Sequence, residues 1–293
     1  MHEIFVTLGF GIVSAAILSL SAVAFTLEYA VTNVANLAHG EILTVGAYAA
    51  YVVQRSTGNI LLSALAAAGA GGLLALGMQV LVIDRFVRSR AGSLLTFVAT
   101  VGIAFILENI LVIIFGAANV AYTIPQSAPM QIGPFLWTST ELQIILSALA
   151  ITAALYVIIT FTKFGKALRA VFQNRELARV TGINSQFVAA ATWFLAGLVA
   201  GYAGFVLAES VGTFTPYFGF SFFLITLTAT VAGGLGKPFS TMAGAVIVGL
   251  ALVFAAAYIS SSYNLAFAFA ILTVVVLVRP RGLFTKPGRS MFE

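Results

Sequence analysis

From Glu28 to Tyr48 the chain reads E-Y-A-V-T-N-V-A-N-L-A-H-G-E-I-L-T-V-G-A-Y. Glu28, Asn33, Asn36, His39, Gly40 and Glu41 stand close together in this run, between stretches that read as lipid-soluble helix. Carboxylate, amide and imidazole groups can bind a polar solute, hold water, relay a proton or cap a helix end. At membrane depth they are costly, roughly 2.5–3.5 kcal/mol for each charged group on insertion scales. Several so close together need water, a solute or a partner residue beside them. Gly40 and the amides before it predict a helix that breaks and restarts. Broken backbone at that depth is tolerated only inside protein or along a cavity. The segment 33–48 therefore reads as a discontinuous helix beside a translocation path. The plainer alternative is an interfacial loop with its polar groups in headgroup water.

The candidate path residues are Asn33, Asn36, His39, Gly40, Glu41, Glu108 and Asn109. Asn36 is expected to face the path, because an amide can bond solute or water without a charge penalty. His39 could carry a proton, touch solute or cap a backbone carbonyl. The reading favours the structural role at the break, with Glu41 beside it. The other histidine is His2, so no metal site is expected. Glu108 and Asn109 lie well inside an apolar span. There they could satisfy the broken backbone of 33–41 or line the same path, unless Glu108 snorkels to the interface. No Ser–His–Asp arrangement and no carboxylate–histidine set at metal spacing can be argued. No catalytic residue is therefore expected, and an enzyme is the poorest of the functional classes.

The elements that must position these groups are membrane helices. The chain is 61% hydrophobic and 8% charged, with a mean hydropathy of +1.08. A soluble chain is about 25% charged. The 293 residues hold about eight to ten spans of ~20 residues, with no room for a separate soluble ATPase. We expect an all-α polytopic membrane protein of about eight or nine spans, in a single permease domain over 1–293. The spans are read at 4–27, 42–53, 60–83, 94–115, 142–161, 188–207, 222–232, 242–258 and 265–278. The start, M-H-E-I-F-V, lacks the positive region of a signal peptide, so the first span is expected to stay in the mature protein. There are no cysteines, hence no disulfide framework and no cysteine-based metal or redox site. Gly233, Gly234 and Gly236 read as a tight turn. One internal echo, V-A-N-L-A-H-G…T-V-G-A (34–47) against V-A-G-G-L-G-K…T-M-A-G-A (231–245), has the form of a transporter repeat, although such Ala/Gly/Val-rich segments also resemble one another by chance.

Twelve of the fourteen Lys and Arg fall in three places: three in 84–90, five in 162–185 and four from Arg279 onward. By the positive-inside rule all three are cytoplasmic, the C-terminus included. Counting spans puts 54–59 and the loop 116–140 outside. Loop 162–185 is longer than the 2–8 residues a helix–helix turn takes. Its Ala167, Leu168, Val171 and Phe172, then Leu177 and Val180, recur at helical spacing among Lys163, Lys166, Arg169, Arg175 and Arg179. That pattern fits a short helix on the membrane surface or in a partner's groove. It also fits a solvated basic loop that only sets topology.

Glu176-x-Ala178-x-x-x-Gly182 resembles the E-A-A-x-x-x-G coupling motif of ATP-binding cassette importer permeases, with Leu177 at the second position. N-L-A-H-G-E…G-A-Y (36–48), F-G-K-A-L-R-A…A-R-V-T-G-I-N (164–184), A-G-G-L-G-K-P-F-S-T…G-A (232–245) and R-P-R-G-L-F (279–284) follow in order. Together, over nearly the whole chain, they resemble the branched-chain amino acid permease family of ABC importers, which also serves urea, short amides and small organic acids. The resemblance implies a transmembrane subunit in a bacterial or archaeal plasma membrane. It implies pairing with a second, similar or identical permease, two cytoplasmic ATPase subunits and an extracytoplasmic solute-binding protein. Arg169, Glu176, Ala178 and Gly182 would then carry ATPase coupling. The chain has no G-x-x-x-x-G-K-[ST], so ATP would be bound by the partners and no cofactor by this chain. Membrane lipid is an expected partner; nucleic acid is not. The competing class is an ATP-independent carrier or channel for a small polar solute.

Overall fold

The computed structural model describes residues 2–89, 92–123, 128–279 and 282–284. Arg90, Pro125 and the tail basic residues Arg281, Lys286 and Arg289 lie outside the described residues. The chain is built of helices in the order α1 (His2–Thr32), α2 (His39–Thr57), α3 (Ile60–Met78), α4 (Asp84–Arg88), α5 (Ser93–Phe115) and α6 (Ser139–Phe161). There follow α7 (Lys163–Gln173), α8 (Arg175–Val180), α9 (Ser185–Val211), α10 (Phe218–Gly233), α11 (Pro238–Ala255) and α12 (Asn264–Val278). A π-helical stretch, Gln79–Ile83, carries α3 into α4 without a break. Among the described residues four short strands, β1 (Val120–Ala121), β2 (Met130–Ile132), β3 (Phe135–Trp137) and β4 (Thr213–Phe214), form two antiparallel pairs, β1–β4 and β2–β3. The fold is all-α in its spanning part. Among the described residues six stretches are long and apolar enough to cross a membrane, and one of them, Pro238–Val278, contains both α11 and α12. The length-and-composition count is therefore lower than the eight or nine spans read from the sequence.

α1 and α9 form the centre. From Leu18 to Leu27 no residue of α1 is exposed, as expected of a helix that is apolar all round. α9 is buried along most of its length and carries the glycines that let its neighbours approach. A Cβ on Gly71 of α3 would strike the Gly197 carbonyl and Gly201 of α9, and one on Gly46 of α2 would strike Gly201. Lipid gives no hydrophobic drive for helix association, so such backbone-to-backbone packing supplies the attraction. α2 and α3 thus clasp one side of α9, while α11 packs along α1.

The two ends of the molecule differ in charge. At one end β1 pairs with β4, the Gln54 amide donates to Thr123 O (2.9 Å), and a Cβ on Gly9 would meet Trp137 of β3. At the other, Arg175 sits 3.9 Å from Asp84, and Leu283 N donates to Ala232 O (2.8 Å). The basic segments 84–88 and 162–185 thus share an end, and the start of the tail docks on the 233–236 turn. Gly234 and Gly236 both take positive φ there, which glycine adopts without a Cβ penalty. Gly233 lies against Ser240, Thr241 and Gly244 of α11.

Candidate functional site

The break is short. α1 ends at Thr32, and Asn33 takes φ 54°, a left-handed conformation that asparagine tolerates better than most residues. Its N–H donates to Tyr29 O (2.7 Å) and its side chain is exposed, so Asn33 turns the chain. Six residues later α2 begins at His39. Free backbone donors between the two helices find side chains: Leu37 N donates to Thr100 Oγ1 of α5 (3.1 Å), and Ala38 N to Asn36 Oδ1 (3.1 Å). This is how non-helical backbone survives at depth.

The turn brings the start of α2 against the end of α1 and closes a polar cluster around Glu28. Asn36 Nδ2 donates to Glu28 Oε2 (2.8 Å), and His39 Nδ1 lies 2.8 Å from Glu28 Oε1. An ionised carboxylate only accepts, so Nδ1 carries the proton of that bond. His39 Nε2 then faces Ser21 Oγ at 3.4 Å, and Ser21 shares a 2.9 Å bond with Thr226 of α10. Glu28 and His39 are both wholly buried, and the rings of Phe25 and Phe223 enclose the imidazole. The cluster fixes the angle between α1 and the restarted helix. Asn36, expected on a path, spends both ends of its amide inside this cluster and is buried. His39 meets Glu28 and not the expected Glu41. Gly40 is a crossing point, since a Cβ on it would sit 2.7 Å from Gly219 O of α10.

Glu41 stands apart. It is 1% exposed and neither carboxylate oxygen has a hydrogen-bond partner. The nearby Thr44 hydroxyl spends its proton on Gly40 O (3.1 Å). The charge that acts on Glu41 is that of Glu108 on α5. Glu108 is half-buried and Asn109 exposed, its amide donating to Phe105 O (2.7 Å). The backbone of the break is thus satisfied by Thr100 rather than by Glu108 or Asn109.

At the basic end, α7 and α8 make the second candidate site. Thr162 caps α7 by accepting from Gly165 N (3.0 Å), and Leu168 and Val171 of α7 are buried against the helix ends. Asn174 caps α8 by accepting from Leu177 N (2.9 Å). Past α8, Gly182 N donates to Arg179 O (3.1 Å) and Ile183 N to Ala178 O (3.0 Å), with Gly182 at φ 85°. That is a Schellman ending, with glycine at its left-handed position. The motif residues separate by role: Ala178 is buried, Gly182 ends the helix and Glu176 is exposed. Arg169 reaches Thr160 O at 3.5 Å. Asp84 anchors the segment, 2.5 Å from Arg88 and 3.9 Å from Arg175. Burial pulls the Arg175 guanidinium below its ordinary range, and Asp84 opposes that shift. What α8 leaves open is apolar: Leu177 is 60% and Val180 85% exposed.

Sequence reasoning missed Ser21, Thr100 and Thr226 as partners of the break, and Asp84 as the anchor of α8. Their sole signal is polarity in apolar spans, which says nothing of what each one faces.

Residues 7–276 match the family model described as branched-chain amino acid transport system / permease component. Among curated proteins the chain is 28% identical over 293 residues to the high-affinity branched-chain amino acid transport system permease protein LivH of Escherichia coli, covering 94% of each chain. It is 25% identical over 286 residues to BraD of Pseudomonas aeruginosa, a protein described in the same terms, covering 92% of each. It is 26% identical over 288 residues to a probable LivH of Methanocaldococcus jannaschii, covering 93% of this chain and 90% of that one. No solved structure matches the chain.

Proposed function

Because this chain belongs to the permease-component family of branched-chain amino acid transport systems, we propose that it is the transmembrane subunit of an ATP-driven importer for branched-chain amino acids or a related small solute. Residues 1–293 act as one permease unit. A second permease completes the path, two cytoplasmic ATPase subunits drive it, and an extracytoplasmic solute-binding protein delivers the solute. The related proteins above are named as branched-chain amino acid permeases, and that supports the solute class. The basic end then faces the cytoplasm and carries the C-terminus, as the positive-inside rule requires, in a bacterial or archaeal plasma membrane.

One observation carries the coupling reading. α8 is short, is capped at both ends, is tied to α4 through Asp84–Arg175 and presents Leu177 and Val180 outward beside Glu176, Arg175 and Arg179. An apolar pair ringed by charge, on the end richest in Lys and Arg, suits docking into a groove of a protein partner. Closure of the ATPases would move this segment, and the Asp84 anchor would pass the motion to α3 and α9. The gate responds only if the segment binds the two ATPase states unequally.

The test is reconstitution of the assembled importer in liposomes, with leucine uptake and ATP hydrolysis measured together. Gly182→Val should leave the complex assembled and raise the ATP used per leucine several-fold. A left-handed β-branched residue costs about 1–2 kcal/mol and loosens the end of α8. Unchanged coupling in this variant would count against the assignment. Solute movement by the purified chain with no ATPase present would instead establish the carrier or channel.

A further inference from the structure

We infer that the carboxylates of Glu41 and Glu108 form a subsite for the ammonium group of the transported solute, reached along the open face of α5. The inference rests on the importer reading and deepens it. α5 is peripheral: its main packing partner is α2, and Phe105, Ile106, Ile110 and Ile113 all point outward. Lipid would suit those side chains. It does not suit Glu108 and Asn109, about two turns inside the Phe115 end of the helix. Ionisable groups at such depth face a bundle interior or a water-filled cavity. Gly102, two turns before Asn109 on the same stripe, is exposed and has open space beside it. Exposed Asn109 and half-buried Glu108 thus stand on α5, and the charge of Glu108 acts on buried Glu41 of α2.

Glu41 is the inner member of that pair. A carboxylate 1% exposed with no hydrogen bond to either oxygen is an unfinished site. Neither Glu41 nor Glu108 is in an ion pair among the described residues. Two carboxylates within electrostatic reach repel one another, and a cation between them relieves the repulsion. A primary ammonium brings one positive charge and three donors. About two turns further along α2, Tyr48 lies over Phe115 with ring centroids 4.5 Å apart, beside Leu111 and Phe214. Those residues form a closed apolar cluster further along the same helix. The chemistry is that of an apolar α-amino acid held by its nitrogen.

The experiment uses the complete importer in liposomes, with radiolabelled leucine, and compares wild type with Glu41→Gln, Glu108→Gln and Glu108→Asp. Uptake should fall about 10- to 100-fold in both glutamine variants, the factor for one lost charge-assisted hydrogen bond. Glu108→Asp should recover part of the rate. The half-saturating leucine concentration, set by the solute-binding protein, should not move, and stimulated ATP hydrolysis should persist. Wild-type uptake in both glutamine variants overturns the subsite and leaves the importer standing. So does a loss of uptake that tracks loss of the assembled complex. ATP-driven uptake by the wild type of a solute without an ammonium group, and not of leucine, also overturns the subsite alone. No ATP-dependence in the wild type removes the importer reading.

Discussion

His39→Leu should destabilise the chain by about 3–5 kcal/mol, the cost of leaving a buried carboxylate without its partner. Glu28 is wholly buried, and with the imidazole gone Asn36 is its remaining side-chain donor. The loss would also cut the link from the imidazole to the Ser21–Thr226 pair that continues the cluster into α10. Glu28→Gln should cost much less, because the charge leaves with the acceptor and an amide oxygen can still receive a proton. The measurement is unfolding of the detergent-solubilised chain by a denaturing detergent. The order matters more than the size: His39→Leu well below Glu28→Gln, with the double variant no worse than His39→Leu. Equal losses in the two single variants would show that the pair is not what holds the break. If the break is loosened, transport should fall in the same order, since the angle between α1 and α2 is set here.

Gly201→Leu should be at least as damaging, by a different mechanism. A Cβ there would collide with the Ala67 carbonyl of α3 and lie 3.0 Å from Gly71 Cα. Gly46 of α2 rests against the same residue from the other side. There is no flexible side-chain end to give way, so α2 and α3 must both move off α9. Overpacking of this kind costs about 3 kcal/mol or more. Gly69→Leu, on the facing helix, is the control. Nothing lies within 4 Å of Gly69, and the change raises helix propensity by up to about 1 kcal/mol. Unfolding of the two variants side by side should give opposite signs. Similar behaviour would mean that the α2–α3–α9 contact is not close-packed.

Much of this molecule can be read from its residues without a structure. Apolar runs mark the helices because each must hide its backbone within itself in lipid. Gly58 and Asn59, Asn174 and Gly182 mark helix ends, since caps are contacts between near neighbours in sequence. The clustering of Lys and Arg marks one end of the fold, because it is a property of loops taken one at a time. The break at 33–38 is visible from its amides and from Gly40 for the same local reason.

Side-chain partnership was decided in three dimensions. Glu28 stands eleven residues from His39, a spacing that no continuous helix brings into contact; the reversal at Asn33 does. Thr226 completes the cluster from more than two hundred residues away. Asn36 reads as a path group by its type, and the fold seals it. Glu41 reads as the natural neighbour of His39, and the fold gives His39 to Glu28 instead. Composition and spacing determine which segments span, where they end and which end is basic, because those depend on each segment's own backbone and solvent. Which polar groups meet and which are left bare depends on helix crossings, and close backbone approach at a few glycines sets those crossings.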